Sequence, residues 1–310
     1  MTRRTLTGIA VIALVLALGG GYVLWRHASA ATPAATGLDL GRPGSYVYVE
    51  DGRVRQGDGA GSTLVGMECQ RAYYRAGLLS CLRALGPAFS AELIVYGSDL
   101  SERLRTPVWG NPSRTQVSPS GHLVAWTVFR EGDDYMADGR FSTTAGLYDL
   151  ATGLHHGSLE DYTSYVDGER FTAADVNYWG ITFAADDNTF YATMSAGGKT
   201  RLMRGDISAR TLTAIRENVE CPSLSPDGTR VAYKQRTGDR WRLHVLDLGT
   251  GADVALAETG HVDDQAAWAD DRTVMYVKAH EGRPTVFTVP ADGTGSPVMA
   301  FPGASPSPVG

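Results

Sequence analysis

Ser225-Pro226-Asp227-Gly228 leads into Thr229-Arg230-Val231-Ala232-Tyr233, and Ser118-Pro119-Ser120-Gly121 leads in the same way into His122-Leu123-Val124-Ala125-Trp126. Pro-Asp-Gly makes a tight turn whose glycine can take positive φ, and the residues after it are the β-branched, small and aromatic types that suit a strand. Degenerate copies stand at Ala184-Ala185-Asp186-Asp187 before Asn188-Thr189-Phe190-Tyr191, and at Ala269-Asp270-Asp271-Arg272 before Thr273-Val274-Met275-Tyr276. From Ala184 to Ser225 is 41 residues, and from Ser225 to Ala269 is 44. After each turn an apolar strand closes on Asp, as at Leu147-Tyr148-Asp149-Leu150, Gly205-Asp206-Ile207 and Val245-Leu246-Asp247-Leu248. A period of about 40 to 45 residues with several short strands in each is the signature of propeller blades. One blade cannot bury both of its faces, so the blades must close into a ring.

Working outward, blades are expected at 68–110, 115–160, 177–219, 220–260 and 264–301. Residues 44–66 supply three further strands, Tyr46–Val49, Arg53–Gln56 and Thr63–Gly66, that lack an inner strand. The segment Ser305-Pro306-Ser307-Pro308-Val309-Gly310 is similar to the Pro222-Ser223-Leu224-Ser225 entry to an inner strand. The chain is therefore expected to be all-β, a six-bladed β-propeller whose last strand lies beside its first three. The longest insertion, Glu160 to Asn177, is rich in acidic and aromatic residues.

The first residues read differently. Arg3 and Arg4 precede an apolar run from Leu6 to Trp25, long enough as a helix to cross a hydrocarbon core of about 30 Å. Basic residues ahead of such a run keep its start in the cytoplasm and send the rest outward. Two readings stand: an uncleaved transmembrane anchor, or a signal segment cut after Ala28-Ser29-Ala30. The expected organisation is a basic start at 1–5, the anchor or signal at 6–25, a linker at 26–42 and the propeller at 43–310. Export makes Cys69 and Cys81 disulfide candidates, because the intervening strand, turn at Arg75-Ala76-Gly77 and strand would bring them nearly opposite each other. Cys221 is then a buried small hydrophobe.

The Ser-Pro-Asp-Gly repeats resemble those of TolB-type propellers. More narrowly, the chain looks like the actinobacterial TolB-like translocation protein family, a signal or anchor followed by a lone propeller. The match is carried by Arg114–Phe129, Ala174–Thr193, Arg216–Lys234 and Val262–Val277. TolB carries an α/β domain ahead of its propeller and works with an outer-membrane lipoprotein; a membrane segment stands in that place here. The resemblance implies a propeller held outside the membrane and assigns it no biochemical activity.

Composition and motifs narrow the function. A formal net charge of −6 argues against a nucleic-acid protein, which needs a basic face. No Gly-x-Ser-x-Gly elbow, His-x-x-x-His or Cys-x-x-Cys spacing, or Gly-rich phosphate loop occurs. No metal or cofactor is expected. His155-His156 reads as an exposed turn. The pairs Asp133-Asp134, Asp186-Asp187 and Asp270-Asp271 lack the alternating oxygen ligands of a calcium loop, and two of them occupy the repeat's turn.

The residues singled out lie just before each inner strand, where the connections converge on one mouth of the central channel. They are Asn111 and Arg114; Asp175, Asn177 and Trp179; Glu220; and Asp263, Asp264 and Gln265. Polar residues gathered from separate blades suit a ligand or peptide site, and equally suit the pairing of backbone groups between blades. The expected function is non-catalytic binding of an envelope protein, peptide or small ligand by a monomer tethered through its N-terminal segment. The alternative is a hydrolase or lyase on cell-wall sugar or peptide, using the acidic mouth residues as acid and base. Carboxylates tied to backbone amides or arginine favour binding; two about 5–10 Å apart beside an open pocket favour the enzyme.

Overall fold

The computed structural model describes residues 37–58, 63–86, 90–130 and 142–310, together with five helical residues, Val15, Ala17 and Gly19–Gly21. The remainder of 1–36 lies outside the described residues, and with it most of the anchor or signal segment and of the linker. Asp133-Asp134 lies outside them too. Among the described residues no helix is long and apolar enough to cross a membrane.

Residues 37–310 form one compact unit of six blades. Blade 1 holds β1 (Ser45–Glu50), β2 (Arg53–Gly57) and β3 (Thr63–Glu68). Blade 2 is β4 (Arg71–Arg75), β5 (Leu78–Ala84), β6 (Ser90–Tyr96) and β7 (Glu102–Trp109). Blade 3 is β8 (Asn111–Val117), β9 (Leu123–Phe129), β10 (Thr143–Asp149) and β11 (His155–Ser158). The insertion adds β12 (Thr163–Val166) and β13 (Glu169–Phe171) before blade 4, which is β14 (Asn177–Phe183), β15 (Thr189–Ala196), β16 (Lys199–Asp206) and β17 (Thr211–Glu217). Blade 5 is β18 (Glu220–Leu224), β19 (Arg230–Thr237), β20 (Arg240–Asp247) and β21 (Asp253–Ala255). Blade 6 is β22 (Ala267–Asp270), β23 (Thr273–His280), β24 (Arg283–Pro290) and β25 (Val298–Pro302), and β26 (Ala304–Val309) then pairs with β1 to complete blade 1. The expected ring and its closure are therefore present. The strands β26, β4, β8, β14, β18 and β22 are the innermost of their sheets and neighbour one another around the channel.

Each apolar cluster fills the gap between two blades. Val95 and Val108 of blade 2 meet Val124 and Trp126 of blade 3. Leu147 of blade 3 packs with Phe190 and Met203 of blade 4, and Tyr233 of blade 5 with Tyr191 and Leu202 of blade 4. Burying each such side chain is worth about 1.5–3 kcal/mol, so the ring is stable only when every gap has both walls.

The repeated turns link neighbours directly. Gly228 sits at φ 73°, the left-handed value the turn needs, and Asp227 accepts from the Thr229 N–H at 3.0 Å. The acidic pairs divide their work: Asp186 accepts from the backbone of Asn188 and Thr189 in its own turn, while Asp187 reaches Ser120 at the turn of the preceding blade, 2.5 Å away. Asp271 likewise accepts from the Asp227 N–H at 2.9 Å. No group of three metal-ligating side chains occurs among the described residues.

The insertion carries strands of its own: β12 pairs in parallel with β17 and β13 pairs with β12, so blade 4 has six strands. Its entry is a capping box between Ser158 and Asp161. Two expectations need correction. His155-His156 opens β11 rather than a turn, and the His155 ring packs on Trp126. Cys69 and Cys81 are joined, with Cα atoms 5.6 Å apart, but they are not cross-strand partners. The turn between β4 and β5 uses only Ala76 and Gly77, so the register places Cys81 opposite Ala72. The bond instead ties the β3–β4 connection to β5.

Candidate functional site

The channel mouth is shaped by a recurring irregularity. In β18, Glu220 pairs with Lys234 and Ser223 with Ala232, so Cys221 and Pro222 face one residue of β19. In β14, Gly180 and Ile181 stand in the same relation to β15, and in β26 Ser305 and Pro306 do so to β1. The first residue of each bulge is left-handed: Gly180 at φ 68°, Cys221 at 51° and Ser305 at 53°. Such bulges bend a strand and re-aim the side chains beside them. Sequence reading placed the mouth residues ahead of the inner strands. The bulged ladders extend further toward the mouth, so Asn111, Arg114, Asn177, Trp179 and Glu220 lie within β8, β14 and β18, and only Asp175 and Asp263 to Gln265 precede their strands.

Four of these residues meet. Arg114, Trp179, Glu220 and Asp263 line a pocket of about 150 Å³ together with Arg71 and Lys234. Cys221, free and buried, is also on its wall. Arg114 donates to Asp264 in a close ion pair and to the Ser113 carbonyl at 2.6 Å. Lys234, 2% exposed, donates to Asp263 at 2.6 Å and lies 4.8 Å from the centre of the Trp241 ring. Burial, the largest influence on Lys234, disfavours its ammonium. Cys221, Asp263 and Glu220 outweigh that and hold its pKa above the ordinary lysine value. Glu220, 5% exposed, accepts from the Trp241 indole N–H at 2.9 Å and is 3.6 Å from Arg236.

The others serve the scaffold. Asp175 accepts from the Gly197 N–H at 2.8 Å, and Asn177 accepts from the Thr143 N–H at 3.0 Å. Gln265 donates to the Pro222 carbonyl at 2.7 Å, joining blades 5 and 6, while its own side-chain oxygen is buried without a partner. Asp264 and Gln265 line the deeper part of the channel with Arg71 and Arg114. Asn111 is exposed on β8 and lines neither cavity.

Sequence reading missed Arg71 and Lys234. Arg71 is the first residue of β4, the position that singled out Glu220 in blade 5, but it was absorbed into the disulfide hairpin. Lys234 sits on a second strand, where only its cross-strand pairing with Glu220 reveals that it returns to the mouth. A wider groove of about 400 Å³ adjoins the pocket. It shares Trp179 and Glu220 with it and runs past Trp241, Arg236, Lys199 and Glu217.

No family model matches the chain. A stretch of 155 residues, 49% of the chain, is 31% identical to a protein TolB homolog of Chlorobium luteolum, covering 32% of that protein. Another of 83 residues, 27% of the chain, is 30% identical to a protein TolB homolog of Chlorobaculum tepidum and covers 19% of it. The chain thus spans a third or less of these relatives' length. Among solved structures, TolB from Acinetobacter baumannii superposes with a TM-score of 0.61 at 15% identity, over 86% of this chain and 66% of that one. An oligogalacturonate lyase in complex with manganese superposes at 0.52 with 13% identity, over 80% and 74%. The chain is thus similar in sequence to TolB homologues over about half of its length, and its propeller fold is TolB-like; at these structural identities the likeness is one of fold alone.

Proposed function

We propose that this chain is a non-catalytic binding propeller of the cell envelope, displayed outside the membrane, that captures a protein or peptide segment at the mouth formed by Arg114, Trp179, Glu220 and Asp263. The supporting observation is that every carboxylate singled out at this mouth is already engaged. Asp264 holds Arg114, Asp263 holds Lys234, Glu220 holds the Trp241 indole, and Asp175 holds a backbone amide. A hydrolase or lyase needs an acid and a base able to exchange protons with substrate. Side chains locked in ion pairs are preorganised for recognition instead. The groove beside the pocket, with indoles on its walls, has the mixed apolar and polar lining that suits an extended segment. The similarity to TolB homologues supports an envelope role, and the arginine-led apolar run at 3–25 supports export.

A photocrosslinking residue at Lys199, in the groove, compared with one at Pro226, at the turn on the opposite end of the blade-5 inner strand, tests this on intact cells. A discrete crosslinked species from Lys199 and none from Pro226 is expected. Equal labelling from both, or none from Lys199, refutes the proposal.

A further inference from the structure

The mouth has one cation too many. Arg71, Arg114 and Lys234 line the pocket against Glu220 and Asp263; the outer partners Asp264 and Arg236 add one charge of each sign. The excess resides on Arg71. Its Nε donates to the Ser113 carbonyl at 2.8 Å, and among the described residues no carboxylate pairs with it. Burial pushes its pKa down and no charged neighbour counters this, yet a guanidinium remains protonated in any protein environment. Leaving a partly buried cation without a counter-charge is unfavourable. A nearby alternative was open, since Arg83 in the same blade shares the buried Glu92 with Arg105.

We propose that Arg71 is an anion-binding centre and that its ligand is a carboxylate; this rests on the binding reading of the same mouth. The guanidinium faces both the pocket and the deeper channel, so its terminal N–H groups are reached from the mouth. Its planar fork matches a carboxylate through two parallel hydrogen bonds. Size restricts what enters: a cavity of about 150 Å³ admits one acidic side chain or chain end and is too small for a folded element. Glu220 and Asp263 on the walls repel a second negative charge, which favours a single carboxylate over a phosphate dianion. The remainder of a peptide bearing that carboxylate extends into the adjoining groove past Trp179 and Trp241.

The test is a tryptophan-fluorescence titration of the full chain with two probes. One is sodium propionate; the other is the acetylated, amidated peptide Gly-Gly-Asp-Gly-Gly, with its Asn counterpart as control. Saturable binding of propionate or the Asp peptide, no binding of the Asn peptide, and a loss of about 10- to 100-fold in affinity in Arg71→Gln are expected, the range a charge-assisted hydrogen bond spans. The probe that binds more tightly tells whether the carboxylate arrives on a peptide or as a free acid. Arg71→Gln removes an unpaired, partly buried charge, so its melting temperature should not fall. If it fails to fold, Arg71→Lys, which keeps the charge and loses the fork, should still bind at least several-fold more weakly than wild type. Equal affinity in wild type and the variant, or no saturation with either probe, overturns the carboxylate site. Crosslinking from Lys199 that survives in Arg71→Gln would leave the capture reading standing while removing this one. Propionate binding that depends on Arg71, without any crosslink from Lys199, would do the reverse.

Discussion

Removing residues 304–310 should break the ring at the strand pair that closes it. β26 pairs with β1 through Ser45↔Val309, Tyr46↔Pro308, Val47↔Ser307 and Val49↔Ala304, and it is the inner strand of blade 1. Roughly four backbone hydrogen bonds at about 1 kcal/mol each are lost. Val309, 4% exposed, forfeits about 2 kcal/mol of burial. The fully buried Ser307 accepts from the Tyr74 N–H at 3.0 Å and donates to the Val47 carbonyl, and orphaning those two groups costs about 1 kcal/mol apiece once channel water can reach them. The total is about 8 kcal/mol, within the 5–15 kcal/mol that stabilises a typical protein. For a unit of this size each kcal/mol moves the midpoint by about 2–4 °C, so the truncated chain should melt some 15–30 °C lower by circular dichroism. Because β26 also packs against β4, which carries Arg71, any ligand taken at the mouth should be lost with it. A truncated chain melting within about 3 °C of the intact one would show that β26 is not what closes the ring.

Replacing Cys69 and Cys81 together by Ser should lower stability by about 3 kcal/mol, the loop-closure value for a separation of 12 residues, and leave Cys221 unmodified by thiol reagents in the folded state; chemical denaturation in urea measures it. Glu258 is buried and accepts from Tyr276 and Lys278 at 2.6 Å and from the Gly260 N–H at 2.7 Å. Burial alone would raise its pKa, but these donors more than offset that and hold it below its ordinary value of 4.5. A carboxyl depressed on folding contributes stability that is complete above its unfolded pKa and is lost as pH falls through the folded one. The melting temperature should therefore gain nothing from Glu258 above about pH 4.5 and decline below it, with a shallower decline in Glu258→Gln; identical acid slopes in the two proteins would contradict the assignment.

The ring was legible in the sequence because its punctuation is local. Ser225 to Gly228 and Ser118 to Gly121 specify turns by their own chemistry, and their phase along the chain counts blades without any knowledge of pairing. Even the closure could be read, since Ser305-Pro306-Ser307 and Cys221-Pro222-Ser223 occupy the same bulged position in β26 and β18. What escaped depends on register. The hairpin β12–β13 is too short to announce itself, and its parallel pairing with β17 joins segments about fifty residues apart. Lys234 returns to the mouth only because β19 is eight residues long and antiparallel to β18. Arg71 was hidden by a competing signal, two cysteines that drew attention to the hairpin and away from its first residue.

The bulges bear on why charge gathers at this end of the channel. A left-handed backbone is free for Gly180 but strained for Cys221 and Ser305, at about 1–3 kcal/mol each. A Cβ added at Gly180 would lie 3.0 Å from the Cys221 Cα, so β14 and β18 approach each other closely here. Local strain of this kind persists only where the surroundings over-determine it, and the Cys221 N–H is indeed fixed by the Thr193 hydroxyl at 2.9 Å. The residue just before each of two bulges, Trp179 in blade 4 and Glu220 in blade 5, projects into the pocket. β4, by contrast, pairs with β5 without interruption from Arg71 to Arg75 and carries no bulge. Its first residue therefore keeps the regular pleat, and Arg71 lines the pocket together with Glu220 and Asp263 without pairing with either. Among the described residues the mouth's other charges are tied in pairs while Arg71, on the unbulged β4, has no carboxylate partner, an arrangement suited to receiving a counter-charge from outside the chain.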